Sequence, residues 1–275
     1  MDQVDYINGQ TRVYGIVGDP IAQVRSPEMV THELQRRGLN AILVPLHVAR
    51  ADFDRVVPHL MQLLNLDGLV MTIPFKSQAL NLASTLGPQA RAVGALNALA
   101  RRNDGTWAGE MFDGMGCVQA FARRGLALRE KSVLLIGLGG AGGAIAAAVA
   151  SEQPLRMHIW DLEPQRCQQS AQVIARLSPH THVHVGPPDL AGVEVLMNAS
   201  PVGMLDDARL PLAVDTLPPD LVVFDTIVYP QETPLLRLAR RSGCQVVTGR
   251  EMMQGQIARI VDFFIQAQQG SVVPN

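Results

Sequence analysis

Apolar and polar positions along this chain fall into two alternating patterns. Short aliphatic runs read as buried strands, and longer stretches with apolar residues three and four apart read as helices. "RVYGIVGD" (residues 12–19) predicts a strand, and "SPEMVTHELQRRG" (26–38) a helix with Ser26 as N-cap, Pro27 at its first position and Gly38 at its end. "AILVPLHV" predicts the next strand, and "DFDRVVPHLMQLLN" (52–65) a helix despite an internal proline. "DGLVMTIPFK" follows as a strand and "SQALNLASTL" (77–86) as a helix. "ALNALARRNDGTWAGEMFD" predicts a hairpin turning at Asn103-Asp104-Gly105.

A new block opens at about residue 117. "KSVLLIGLGGAGGAIAAAVA" (131–150) reads as strand, glycine turn and helix. "RMHIWD", "HTHVHVG", "VEVLMNAS" and "LVVFDTIV" read as strands, with "EPQRCQQSAQVIARL" and "TPLLRLARRSG" as helices. "GREMMQGQIARIVDFFIQAQQ" (249–269) closes the pattern as a long amphipathic helix. Alternation of this kind predicts an α/β protein in two lobes, with helices on the faces of parallel sheets.

Composition narrows the class. Hydrophobic residues make up 47% and charged residues 17% of 275 positions, which fits a globular chain with a large core. A net charge of −2 lacks the basic excess that a nucleic-acid partner favours. Cys117, Cys167 and Cys244 are far apart and odd in number, so neither a disulfide framework nor a metal-ligand spacing is present. No signal peptide is visible in "MDQVDYINGQTRVYG", and the alanine-rich run at 133–150 is broken by turns, so neither secretion nor a membrane span is expected. A reducing cytoplasm is the expected location.

Residues 137–142, Gly137-Leu138-Gly139-Gly140-Ala141-Gly142, satisfy G-x-G-x-x-G between a strand and a helix. Such glycines permit a tight turn and let backbone approach a pyrophosphate at the positive end of a helix. Asp161 lies nineteen residues beyond Gly142 at the end of the next strand. An acid there accepts hydrogen bonds from ribose hydroxyls and repels a 2′-phosphate, which favours NAD over NADP. Arg166 is the nearby cation that would favour NADP instead.

"GDPIAQVRSP", "MTIPFK", "VGALNAL", "GEMFDGMG", "GLGGAGGA", "MNASPVGM", "DTIVYPQETPLL" and "GREMMQGQ" resemble, in order, the signature blocks of the shikimate dehydrogenase family, across about residues 13–265. The resemblance implies an N-terminal α/β substrate domain over 1–116, rejoined by terminal helices over 247–275. It implies a Rossmann domain over 117–246, with the reaction in the cleft that separates them. It places the family's catalytic lysine on Lys76 and its partner aspartate on Asp113. Ser26, Thr72, Asn97 and Gln256 match residues that hydrogen-bond substrate, and Tyr229 a tyrosine near its carboxylate. Asn198, Ala199, Ser200 and Met204 match the loop beside the cofactor, and Gly249 a glycine near the nicotinamide. Read without the resemblance, Lys76 is a surface lysine at the start of a helix, Asp113 a turn acid and Ser26 a helix cap.

The implied activity is NAD-dependent hydride transfer on a cyclic hydroxy acid near shikimate or quinate. The only partner implied is that small molecule, with a homodimer left open and no nucleic acid or membrane. An NADP-linked biosynthetic enzyme and a catalytically silent NAD-binding regulator on the same fold are the alternatives. Where the family pattern has hydrogen-bonding side chains, this chain carries Val24, Val70, Ala98, Met111 and Phe112. Each lost donor or acceptor is worth about 1–3 kcal/mol, so the anchoring end of the pocket is expected to suit a less polar substrate. His180, His182 and His184 alternate on one strand but have no acid or cysteine nearby, and read as a polar sheet edge rather than a metal site.

Overall fold

Five consecutive buried positions close β1 (Arg12–Gly18), as a central strand covered on both faces requires. The computed structural model describes residues 7–270, and the remaining positions of the expected domains, 1–6 and 271–275, lie outside the described residues. After β1 come α1 (Ser26–Arg36), β2 (Ala41–His47), α2 (Phe53–Leu60) and β3 (Leu66–Met71). Then follow β4 (Thr85–Leu86), α3 (Pro88–Val93), β5 (Ala98–Arg101) and β6 (Trp107–Glu110). The strands form one sheet in the order β2-β1-β3-β5-β6-β4. It is mixed rather than parallel, because the hairpin makes β5 antiparallel to both β3 and β6.

Three local expectations change. Residues 77–86 form a short 3-10 turn at Gln78–Leu82 and then β4, not a helix. Ser84 N–H bonds Trp107 O at 2.8 Å and Gly87 N–H bonds Gly109 O at 2.8 Å, so pairing with β6 overrides local helix preference. The helix expected over 52–65 stops at Leu60, where 3-10-type bonds from Gln62 and Leu63 close it. Ser26 is the first residue of α1 rather than its cap; Arg25 holds the cap position without a side-chain cap bond.

The second sheet is wholly parallel. It is preceded by α4 (Asp113–Arg123) and built from β7 (Ser132–Ile136), α5 (Gly140–Ser151), β8 (Arg156–Trp160), α6 (Pro164–Leu177), β9 (His182–Val185) and β10 (Val195–Asn198). β11 (Val222–Asp225), α7 (Pro234–Arg241), β12 (Gln245–Thr248) and α8 (Gly249–Gln268) complete the chain. The strand order β9-β8-β7-β10-β11-β12 is the doubly wound order, with its switch point where β7 meets β10. No helix among the described residues is long and apolar enough to cross a membrane.

The chain divides into two compact units. One holds the described residues up to Phe112 together with those from Ile257 on, and the other holds Asp113–Gln256. The boundaries thus fall at 112/113 and 256/257, against 116/117 and 246/247 in the sequence reading. Glycines explain the shift. A side chain at Gly114 would overlap Ala144 O of α5, and one at Gly116 would stand 2.5 Å from Met252 O of α8, so α4 lies tight against both helices of the second unit. In the first unit the far half of α8 packs on the sheet, Phe264 lying 4.8 Å from Tyr14 between ring centroids.

Candidate functional site

Within the first unit Ser26 opens α1, and Thr72, Lys76 and Asn97 lie between the end of β3 and the start of β5. Thr72 follows β3 and its N–H bonds Val17 O of β1 at 3.0 Å. Lys76 is half-buried, and its carbonyl accepts the Leu96 N–H at 2.9 Å, which pins the segment after β3 to the approach of β5. Asn97 is buried just before β5; its Oδ1 accepts the Phe112 N–H at 2.9 Å, so this side chain shapes the backbone leading to Asp113. Glu110, absent from the sequence reading, supports the same corner. Its carboxylate accepts N–H groups from Ala90 and Met111, both at 2.8 Å, while burial pushes its pKa up. Four of the apolar replacements, Val70, Ala98, Met111 and Phe112, are buried, and Val24 is half-buried. Val70 pairs directly with Ala98 across β3 and β5, and Phe112 lies 5.6 Å from Phe263 of α8 between ring centroids. Phe112 therefore serves packing within the unit.

In the second unit Asp113 opens α4 and is 3% exposed. Gln256 stands against the first turns of that helix, its Cβ 3.2 Å from where a side chain at Gly116 would begin. Cys117 is buried on the same helix and burial raises its thiol, which suits packing rather than nucleophilic work.

The glycine turn has the shape its sequence asks for. Gly137 adopts φ of 90°, and a side chain there would press on Ser200 N at 2.5 Å, so the turn packs directly on the loop after β10. A side chain at Gly142 would overlap Gly137 O, whereas one at Gly139 meets nothing within 4 Å. The turn is thus closed behind and open at Gly139, next to the start of α5, whose first N–H groups have no partner within the helix. That cradle fits the pyrophosphate of a dinucleotide. Asp161 is tied to the same turn, its Oδ2 accepting the Leu138 N–H at 2.6 Å and its Oδ1 the Glu163 N–H at 2.9 Å. Arg166 reaches Asp161 Oδ1 at 3.4 Å. Leu162, between the two acids in sequence, is 88% exposed.

The remaining expected residues lie at the end of β10 and in the segments after β10, β11 and β12. Asn198 ends β10 fully buried, Ala199 and Ser200 back the glycine turn, and Met204 N–H bonds Pro201 O at 3.1 Å in the same loop. Tyr229 is 45% exposed on the loop after β11. Gly249 leaves no room for a side chain against Thr226 O. Beneath them lies a group the sequence reading missed. Asp225 is wholly buried, and desolvation pushes its carboxyl up to about 7 despite hydrogen bonds from Ile227, Thr233 and Asn198. His158 and His184, by contrast, meet edge-to-face with ring centroids 4.6 Å apart, and His158 bonds Gly186 O at 3.0 Å.

Asp225 makes stability depend on pH with a definite sign. Its folded pKa lies above the unfolded value, so the folded state holds the proton more tightly and loses stability as pH rises from about 4 to about 7. A change of this size corresponds to something on the order of 4 kcal/mol. Melting curves of wild type and Asp225→Asn at pH 5 and pH 8 should therefore show the wild type losing ground to the variant at the higher pH. A difference that does not change with pH would refute the shift.

Known proteins share the sequence blocks and the fold. The profile of the shikimate dehydrogenase substrate binding domain matches residues 16–99. A shikimate dehydrogenase (NADP(+)) of Jannaschia sp. is 32% identical over 246 residues, 88% of this chain and 87% of that one. Among solved structures, shikimate 5-dehydrogenase of Listeria monocytogenes, in complex with shikimate and NAD, is 26% identical with a TM-score of 0.81, over 95% of this chain and 94% of that one. Quinate dehydrogenase of Corynebacterium glutamicum, in complex with NAD, is 26% identical with a TM-score of 0.80, over 92% of this chain and 93% of that one. With its signature blocks, its doubly wound second unit and a full-length relative at this identity, the chain belongs to the shikimate dehydrogenase family.

Proposed function

We propose that the chain is an NAD-linked dehydrogenase of the shikimate/quinate type, acting on the CH–OH group of a cyclic hydroxy acid. Family membership over nearly the whole chain supports the reaction class and a nicotinamide cofactor. The single observation that carries the finer reading is the set of side chains at the end of β8. Asp161 and Glu163 flank a solvent-exposed Leu162, and the nearby cation Arg166 is already bonded to Asp161. A 2′-phosphate there would face two carboxylates against one engaged guanidinium. Like-charge juxtaposition of this kind costs several kcal/mol when poorly screened.

The second reading is NADP, which the name of the Jannaschia relative carries. Steady-state assays with both cofactors decide between them. We expect kcat/KM for NAD to exceed that for NADP by roughly ten- to a hundredfold, the equivalent of about 1.4–2.8 kcal/mol. Equal values, or a preference for NADP, would overturn the NAD assignment.

In this reading Lys76 of the first unit and Asp113 of the second supply the proton chemistry. Lys76 Nζ takes the hydroxyl proton from the substrate during oxidation and returns it during reduction, and Asp113 is the carboxylate that orients the ammonium and accepts a hydrogen bond from substrate. Ser26, Thr72, Asn97 and Gln256 hold hydroxyl or carboxylate groups, with Tyr229 near the carboxylate. Gly137, Gly139, Gly140, Ala141, Gly142 and Asp161 would hold the dinucleotide, with Asn198, Ala199, Ser200, Met204 and Gly249 at its nicotinamide end. When bound, the nicotinamide supplies the hydride acceptor or donor. Val24, Val70, Ala98, Met111 and Phe112 remove hydrogen-bonding groups from the anchoring end, which favours a substrate near shikimate or quinate but less polar. A panel of cyclic hydroxy acids followed by NADH absorbance tests this. No turnover of shikimate, quinate or any close analogue would remove the substrate assignment.

A further inference from the structure

Asp225 ends β11 where the backbone segments around the glycine turn meet. Its Oδ1 accepts the side-chain N–H of Asn198 at 3.2 Å and the backbone N–H of Ile227 at 3.1 Å, and its Oδ2 accepts the Thr233 hydroxyl at 2.8 Å. Each partner then holds something else in place. Asn198 also donates to Val202 O at 3.2 Å, while its Oδ1 accepts from Ser200 N at 3.1 Å and Ser200 Oγ at 2.6 Å. Thr233 Oγ1 accepts the Leu236 N–H at 3.1 Å and so caps α7. Leu205 N–H to Tyr229 O, at 3.4 Å, joins the two loops directly.

The chemistry of this joint is one-sided. All three partners donate to Asp225, so in its ionised form both oxygens accept, and Asn198, Asp225 and Thr233 are each 0% exposed. Burying a carboxylate is costly, and a neutral side chain of similar size would avoid that cost if filling space were the only task. What a carboxylate gives is acceptors for three donors at once: Oδ1 serves both loops, through Asn198 and Ile227, and Oδ2 serves the second of them through Thr233. Through Asn198 it reaches the loop that backs the glycine turn at Gly137, and through Ile227 and Thr233 the loop that carries Tyr229 and passes Gly249.

We propose that Asp225, acting through Asn198 and Thr233, is the positioning residue that fixes the loops 199–205 and 226–233 in their cofactor-binding arrangement without touching the ligand. The proposal rests on the dinucleotide reading of the second unit. An amide at this position would turn its NH2 toward at least one of the three donors, so one arm of the joint would open. From the elements packed on β11, the groups paired with Asp225 or bonded to it are Asn198 on β10, Thr248 on β12 and Thr233 ahead of α7, none of them charged. Glu251, which bonds Thr248, is itself paired with Arg124. A pH dependence that disappears on replacing Asp225 is therefore its own.

The test uses the full chain, with NADH as the probe, and four proteins: wild type, Asp225→Asn, Thr233→Val and Thr233→Ser. NADH dissociation constants are measured from pH 6 to pH 9, and amide hydrogen exchange is followed without ligand. Asp225→Asn and Thr233→Val should weaken NADH binding roughly tenfold, the effect expected of one buried partner left unpaired. Thr233→Ser, which keeps the hydroxyl, should stay within about twofold of wild type. Wild-type affinity should rise as the carboxyl ionises, and Asp225→Asn should bind with no pH dependence over that range. Exchange should quicken in both loops of Asp225→Asn and Thr233→Val. Unchanged affinity in both variants, or unchanged exchange in both loops, overturns the proposal. Should the wild type bind no NADH, the titration is repeated with NADPH; binding of neither ends the dinucleotide reading, and the exchange data alone still decide whether Asp225 holds the loops. Should Asp225→Asn not fold, the contrast between Thr233→Val and Thr233→Ser decides it.

Discussion

Lys76→Ala is expected to lower turnover by about two to four orders of magnitude while NADH binding stays within about twofold. The magnitude is that of a positioned general acid–base, and alanine removes the only atom, Nζ, assigned to carry the proton. The residue sits where such a group would need support. Its backbone is clamped by the Leu96 N–H, and Phe75 beside it is fully buried and stacked on Phe53 with ring centroids 4.4 Å apart. The loss should therefore be chemical rather than structural, and the melting temperature should hardly move. Binding is spared because every residue assigned to the dinucleotide lies between Gly137 and Gly249, outside the first unit. Single-turnover hydride transfer against NADH titration separates the two effects. Retained turnover would remove Lys76 from the chemistry. No measurable turnover in the wild type on any cyclic hydroxy acid would favour a silent regulator, the reading to which the apolar replacements at Val70, Ala98 and Met111 lend their weight.

What could be read from the chain alone follows the range of the interactions involved. The turn at Gly137–Gly142 was legible because strand, turn and helix are contiguous and Gly142 is demanded by Gly137 O within the same turn. Asp161 was legible because a fixed strand-to-strand spacing carries it back to the turn, where it bonds Leu138. Residues 77–86 were not, because their fate is decided by Trp107 and Gly109, more than twenty positions on, and nothing in "SQALNLASTL" records that pairing. Ser26 had the composition of a cap, yet the helix takes it in as its first residue. Asp225 shows the limit most clearly. In "LVVFDTIV" it reads as the polar end of a buried strand. Its partners come from positions 198, 227 and 233, and only the parallel register of β10 with β11 brings the first of them alongside. Leu162 and Glu163 likewise gained meaning only once their exposure beside Asp161 was known.

Gly142→Ala should weaken NADH binding by at least about a hundredfold, the largest effect expected from a single methyl group in this protein. The added carbon would overlap Gly137 O and come within 3.3 Å of Ala199 Cβ. Neither neighbour can easily give way. The Gly137 N–H is held by Trp160 O at 2.7 Å, and the residue's φ of 90° already lies in the left-handed region that favours glycine. Ala199 is fixed from the other side, its N–H bonding Ile136 O at 2.7 Å. The strain must therefore move the start of α5, whose N–H groups form the anion cradle. Alignment of several such donors on one pyrophosphate is worth more than a single hydrogen bond, so losing it exceeds the roughly tenfold effect of one unpaired group. Alanine is otherwise the better helix former by about 1 kcal/mol, so a gain in stability with unchanged affinity would mean that the helix start relaxes without cost. Dissociation constants and melting temperatures measured together distinguish the outcomes. A fall in affinity with a folded protein supports the cradle, and an unchanged affinity would show that the dinucleotide does not lie on this turn.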